Sequence, residues 1–136
     1  MRRPLALFCL PLTVLALAGC GSAVSTSAFK GTEQQVAQTI ADLQADATAA
    51  EQSKICADDL AAAVVARLGG AKGCEAAIKG QLAQVDNLEV SVQSVTVAAD
   101  GATATAQVKS IHEGKSRPST VSLVKEGGKW KISGPQ

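Results

Sequence analysis

The order of hydrophobic periods predicts an α+β fold, with N-terminal helices packed on a curved four-stranded antiparallel sheet. Three observations carry this expectation. Apolar residues up to Leu82 recur at helical spacing. From Leu88 the period falls to two. The two-period runs are then separated by Asp100-Gly101, Gly114-Lys115 and Gly127-Gly128, which are turn signals.

The first helix is expected over 32–50. Thr32-Glu33-Gln34-Gln35 fits a capping box, and Val36, Ile40, Leu43 and Ala47 then share one face. Ser53 to Cys56 reads as a short turn or helical piece. Asp58 and Asp59 read as acids at the positive start of a second helix, Leu60 to Leu68, which Gly69-Gly70 would stop. A third helix begins near Gly73-Cys74-Glu75 and carries Ala77, Ile78 and Leu82. In the first strand, Leu88, Val90 and Val92 alternate with polar residues, but Val95 and Val97 have the opposite parity. Such a slip predicts a β-bulge near Gln93-Ser94. The second strand runs from Ala102 to Glu113, with Ala102, Ala104, Ala106 and Val108 on one face. The third runs from Pro118 to Lys125, and the fourth points Trp130 and Ile132 inward.

Ahead of the domain lies an export address. Met1-Arg2-Arg3 is a basic start, and the uncharged run from Leu5 to Ala18 is about 14 residues long, short for a permanent membrane span. Leu17-Ala18-Gly19-Cys20 follows. This resembles the lipobox of bacterial lipoproteins, which implies cleavage between Gly19 and Cys20 and a diacylglyceryl group on the Cys20 thiol. The chain therefore divides into a signal peptide (1–19), a lipidated Cys with a flexible tether (20–31) and an α+β domain (32–136). The implied location is extracytoplasmic, at the cell membrane or an outer membrane. The membrane, reached through the lipid on Cys20, is the first expected partner.

The full chain of 136 residues has net charge +1, and losing Arg2 and Arg3 tips it slightly acidic. That balance argues against nucleic acid as a partner, since a basic stripe is missing. With Phe8, Phe29 and Trp130 the only aromatics, the core is expected to be built from Ala, Val, Leu and Ile. These bury modest areas, so a covalent staple gains importance.

Four cysteines sort by position: Cys9 leaves with the signal, Cys20 takes the lipid, and Cys56 and Cys74 remain. In an oxidising compartment the pair is expected as a disulfide, worth roughly 3 kcal/mol for a loop of this length. A metal pair would need further ligands, and His112 is the only imidazole; a redox couple is normally closely spaced. No metal or other cofactor is expected.

The closing Glu126-Gly127-Gly128-Lys129-Trp130-Lys131-Ile132 resembles the last hairpin of small exported members of the nuclear-transport-factor-2-like (cystatin-like) superfamily. Ile55-Cys56 and Gly73-Cys74 resemble the disulfide-tied helices of actinobacterial lipoproteins in that group. The resemblance implies a cone, with the curved sheet wrapped around the helices. Catalytic members such as ketosteroid isomerase and scytalone dehydratase place acids, Tyr or His inside it.

Tyr is absent here, which removes a phenolic donor, and His112 is the one candidate imidazole base, late in the second strand. Asp42 and Asp46 share a helix face that reads as solvated. Ser119 and Ser122 lack a nearby His–Asp pattern, and Gly69-Gly70-Ala71-Lys72-Gly73 lacks Walker spacing. The small inward residues of the second strand either admit the first helix closely or leave an apolar pocket, for which Leu43, Ala104, Val108 and Trp130 are the candidates. The expected function is a non-catalytic, membrane-anchored binding or interaction domain, its partner a small apolar ligand or another envelope protein. A lyase or isomerase using His112 or a buried Asp, and a structural docking module, are the alternatives.

Overall fold

The computed structural model describes residues 24–85 and 88–136. Its helices are α1 (Gly31–Thr48), α2 (Gln52–Lys54), α3 (Ala62–Arg67) and α4 (Gly70–Leu82), with a π turn (Ile55–Asp59) between α2 and α3. The strands β1 (Glu89–Val97), β2 (Thr103–His112), β3 (Lys115–Glu126) and β4 (Lys129–Pro135) form one open antiparallel meander in the order β1-β2-β3-β4. The α+β class expected from the hydrophobic periods is the class observed. Among the described residues no helix is long and apolar enough to cross a membrane. The signal segment, Gly19 and Cys20 lie outside the described residues. Of the tether, Val24 is buried and Phe29 N–H closes a turn on Thr26 O at 3.1 Å.

The sheet follows its residue pattern closely. The β1–β2 register slips between Val92 and Ser94, at the predicted bulge, so Val90, Val92, Val95 and Val97 all reach the helical side. A second slip, between Ser122 and Leu123 in the β3–β4 pairing, has no counterpart in the residue pattern. Asp100 Oδ1 accepts from Ala102 N–H at 2.9 Å and Thr103 N–H at 3.3 Å, which holds the first hairpin turn. Gly127 and Gly128 have φ of +56° and +80°, the pair of left-handed conformations that a two-residue hairpin matched to strand twist requires. That turn delivers Lys129 and Trp130 to the helical side of the molecule.

One core joins the two layers. Val36 and Ile40 of α1, Ile55 and Cys56 of the π turn, and Cys74 of α4 pack on Ala104, Ala106 and Val108 of β2, Leu123 of β3, and Trp130 and Ile132 of β4. The alanine-lined strand thus admits α1 against the sheet. The Cys56–Cys74 disulfide, with Cα atoms 6.1 Å apart, ties the π turn to α4, and both cysteines are buried.

The helices depart from expectation at three termini, one of them the start of α4, which lies at Gly70 after a left-handed Gly69 and not near Gly73. The Thr32 capping box does not form: α1 begins at Gly31 after an extended Lys30, with no side-chain cap. The chain has already turned at Gly31 (φ +58°), so Gln34 N–H reaches Lys30 O. Asp58 and Asp59 do not start a helix either. Leu60 N–H bonds Ile55 O, closing a π turn that contains both acids. Leu60 then makes a parallel bridge to Ile132, and Ala61 N–H donates to Ile132 O at 2.8 Å. Pairing with β4 pulls residues 60–61 out of helical geometry, and α3 starts one residue later. Its first amide, Ala62 N–H, is capped by the Glu126 carboxylate of β3 at 3.1 and 3.3 Å.

Candidate functional site

A hollow of about 560 Å³ opens beside the core, between α1, the π turn and the β3–β4 hairpin. Gln34, Gln35, Gln38, Thr39 and Asp42 supply the α1 wall. They lie one helical turn apart on the flank next to the buried Val36–Ile40 stripe. Asp58 and Asp59 come from the π turn, and Gly128, Lys129 and Trp130 from the hairpin. The walls are tied together at Thr39, whose Oγ1 donates to Gln35 O at 3.1 Å and lies 3.4 Å from Trp130 O. Gln38 Nε2 donates to Asp42 Oδ1 at 2.8 Å, which orients that carboxylate.

Asp59 is the most unusual group in the site. It is only 4% exposed, and its Oδ2 has no hydrogen-bond partner. Burial pushes its carboxyl up to about 7, with help from the charges of Asp46 and Asp42, a hydrogen bond with Asp46, and the charge of Asp58. Asp46, also buried, takes a 2.8 Å ion pair from Lys54, whose ammonium is held above its ordinary range by its hydrogen bonds to Asp46 and Glu51. A carboxyl that titrates near neutrality can donate or accept a hydrogen bond according to what lies against it. On the facing wall Trp130 is 5% exposed and its Nε1–H is likewise without a partner. A buried polar group left unpaired costs about 1–3 kcal/mol, and here two of opposite polarity belong to residues that border one hollow, each atom itself sealed from solvent.

The pocket candidates drawn from the sequence are brought together, but as packing. Leu43, Ala104, Val108 and Trp130 all belong to the core or pack against it. Of the four, only Trp130 borders the large hollow. Ala104 borders a smaller one of about 320 Å³ near the β1–β2 turn, with Thr96, Thr103 and Leu123, while Leu43 and Val108 border neither. His112 ends β2 opposite Lys115, at the far hairpin, and lines neither hollow. Among the described residues no set of His, Cys, Asp or Glu has a metal-holding arrangement. Sequence reasoning passed over Asp59 and the glutamine flank of α1. The one available signal was that Asp42, Asp46, Asp58 and Asp59 are all short acids near the first two helices.

These features define a helix-on-open-sheet domain with a polar hollow at the seam between its layers. The model of the family described as low molecular weight antigen MTB12, C-terminal domain, matches residues 35–135, and the chain belongs to that family. This supports its likeness to small actinobacterial proteins. No curated protein matches the chain. Among solved structures it is similar to the crystal structure of the intermembrane space region of chloroplast protein ARC6, at 16% identity and a TM-score of 0.49, over 79% of this chain and 97% of that one.

Proposed function

We propose that this chain is an exported lipoprotein, anchored through a lipid on Cys20, whose cone-like domain binds a ligand or partner without catalysing a reaction. The observation that carries the compartment is the buried Cys56–Cys74 disulfide, a bond that persists in oxidising surroundings. The lipobox Leu17-Ala18-Gly19-Cys20 supports the anchor, and the antigen description of the family fits a protein displayed outside the cytoplasm. The nuclear-transport-factor-2-like reading draws support from the bulged meander with α1 across it. The binding role rests on the hollow at Asp59 and Trp130.

Intact mass of the membrane-derived chain tests the anchor. A diacylglyceryl adduct on a product beginning at Cys20 is expected, and a soluble, unmodified product beginning elsewhere overturns it. Native mass spectrometry of the full chain in detergent tests the binding role, the expected result being a retained small molecule or a stoichiometric partner. In the lyase or isomerase alternative the acid–base group would be Asp59, whose carboxyl is raised by burial, rather than His112.

A further inference from the structure

We propose that the folded domain rests on the bilayer that carries its own anchor, with the start of α1 and the turns at Asp100-Gly101 and Gly127-Gly128 against the lipid headgroups and the β2–β3 hairpin pointing away. The inference rests on the Cys20 anchor proposed above and adds the surface that meets the membrane.

Tether length carries the argument. Val24 is only 9% exposed, so the chain is already held against the domain at that residue. Thr26 O accepts from Phe29 N–H at 3.1 Å, a turn that keeps Val24 close to the start of α1. Only Gly21, Ser22 and Ala23 separate Val24 from the lipid-bearing Cys20. Those links span at most about 14 Å at full extension. A chain free from Cys20 to Gly31 would span up to about 40 Å, which matches the length of β3 at about 3.3 Å for each of its 12 residues. On the longer tether any face of the domain could meet the bilayer. On the shorter one the end that carries Val24 stays beside it.

Sheet topology decides what else lies at that end. Gln34 and Gln35, early in α1, share the hollow with Gly128 and Lys129, which puts the start of α1 beside the β3–β4 turn. Lys125 N–H donates to Ala102 O at 2.8 Å and Thr103 pairs with Val124, so the β1–β2 turn lies at the same end. The other end of α1 reaches the start of β1, where Gln44 Oε1 accepts from Val90 N–H at 3.0 Å. Val90 pairs with Ser110, and His112 with Lys115 just beyond, so the β2–β3 turn stands farthest from the lipid. Charge does not set this orientation. At the start of α1 and the two turns, Lys30, Lys125 and Lys129 balance Glu33, Asp100 and Glu126, and the surface needs no anionic lipid.

Four turn glycines sample the two ends: Gly101, Gly127 and Gly128 at one, Gly114 at the other. The lipidated full chain, isotope-labelled, is placed in phosphatidylcholine nanodiscs that contain a lipid with a gadolinium chelate on its headgroup. Gadolinium broadens amide resonances steeply with proximity. The Gly101, Gly127 and Gly128 signals are expected to be lost and the Gly114 signal kept. Equal broadening at all four, or the greater loss at Gly114, overturns the orientation. A Gly-Ser insertion of about ten residues between Ser22 and Ala23 restores a long flexible tether and should level the four signals. A contrast that survives the insertion overturns tether length as its cause. Intact mass separates the two readings. Equal broadening in a chain that carries the lipid removes the orientation alone, whereas a chain without lipid on Cys20 removes the anchor and the orientation with it.

Discussion

The apolar seam beneath the sheet and the polar hollow beside it draw on the same three elements: α1, the π turn and β4. In the seam, Val36, Ile40, Ile55, Leu123 and Ile132 interdigitate, and the disulfide closes one end. Behind the wall of the hollow, Asp59 and Trp130 keep buried polar atoms without partners. Trp130 belongs to both, since it packs in the seam and borders the hollow. The difference teaches that stability and recognition are separated here by a single helical flank. The seam makes the fold, and the hollow holds costs that the seam offsets.

Perturbing the seam should have the largest effects. Trp130→Ala removes the largest core side chain and should cost about 3–5 kcal/mol in denaturant unfolding followed by circular dichroism. A loss below about 1 kcal/mol would mean that the ring is not part of the seam. Replacing both Cys56 and Cys74 by Ala should cost about 3 kcal/mol, and alkylation without reduction should leave both wild-type cysteines unlabelled.

The hollow predicts a stabilising substitution of opposite sign. The fold raises the Asp59 carboxyl from 3.8 to about 7, so between those values the folded chain binds more protons than the unfolded one. Stability therefore falls as pH rises across that window, and the cost is fully present above it. Asp59→Asn imitates the protonated acid. It should match wild type below about pH 4 and exceed it by up to about 4 kcal/mol well above pH 7 in thermal unfolding. A parallel pH profile in the two proteins would place Asp59 in a solvated setting and erase the contrast with the seam.

Smallest are two backbone substitutions remote from both regions. Ala50 ends α1 at φ +54°, with Ala50 N–H on Ala47 O and Glu51 N–H on Asp46 O, the pattern in which glycine is preferred. Gly80 sits inside α4 with open space where a Cβ would lie. Ala50→Gly and Gly80→Ala should each stabilise by about 0.5–1 kcal/mol, read as a raised melting temperature with no change in Trp130 fluorescence. Gly73 is the counterexample in the same helix, since a Cβ there would lie 2.0 Å from Leu68 O.

Much of the sheet was legible because strand periodicity is local. The parity switch from Val92 to Val95 marked a bulge that the register contains, and Gly127-Gly128 followed by Trp130 and Ile132 marked the closing hairpin. The cysteine pair was legible by elimination. The candidate site was mostly hidden. Asp58-Asp59 ahead of an apolar run looks like the start of a helix, and nothing nearby says otherwise. The π turn follows from the Leu60–Ile132 bridge, a contact between distant parts of the chain. Asp42 and Asp46 likewise read as one solvated helix face until Asp59 is folded against them.

The sequence alone determined the layer order, the four-strand meander, the inward face of each strand and the availability of Cys56 and Cys74 for pairing. These depend on residues a few positions apart, whose periods decide which side is dry. Only the tertiary structure decided that Asp59 is buried with one oxygen unanswered, and that Trp130 faces it from another element across a hollow. Desolvation and unmet hydrogen bonds belong to the space between elements, and that space exists only once the helices and the sheet have met.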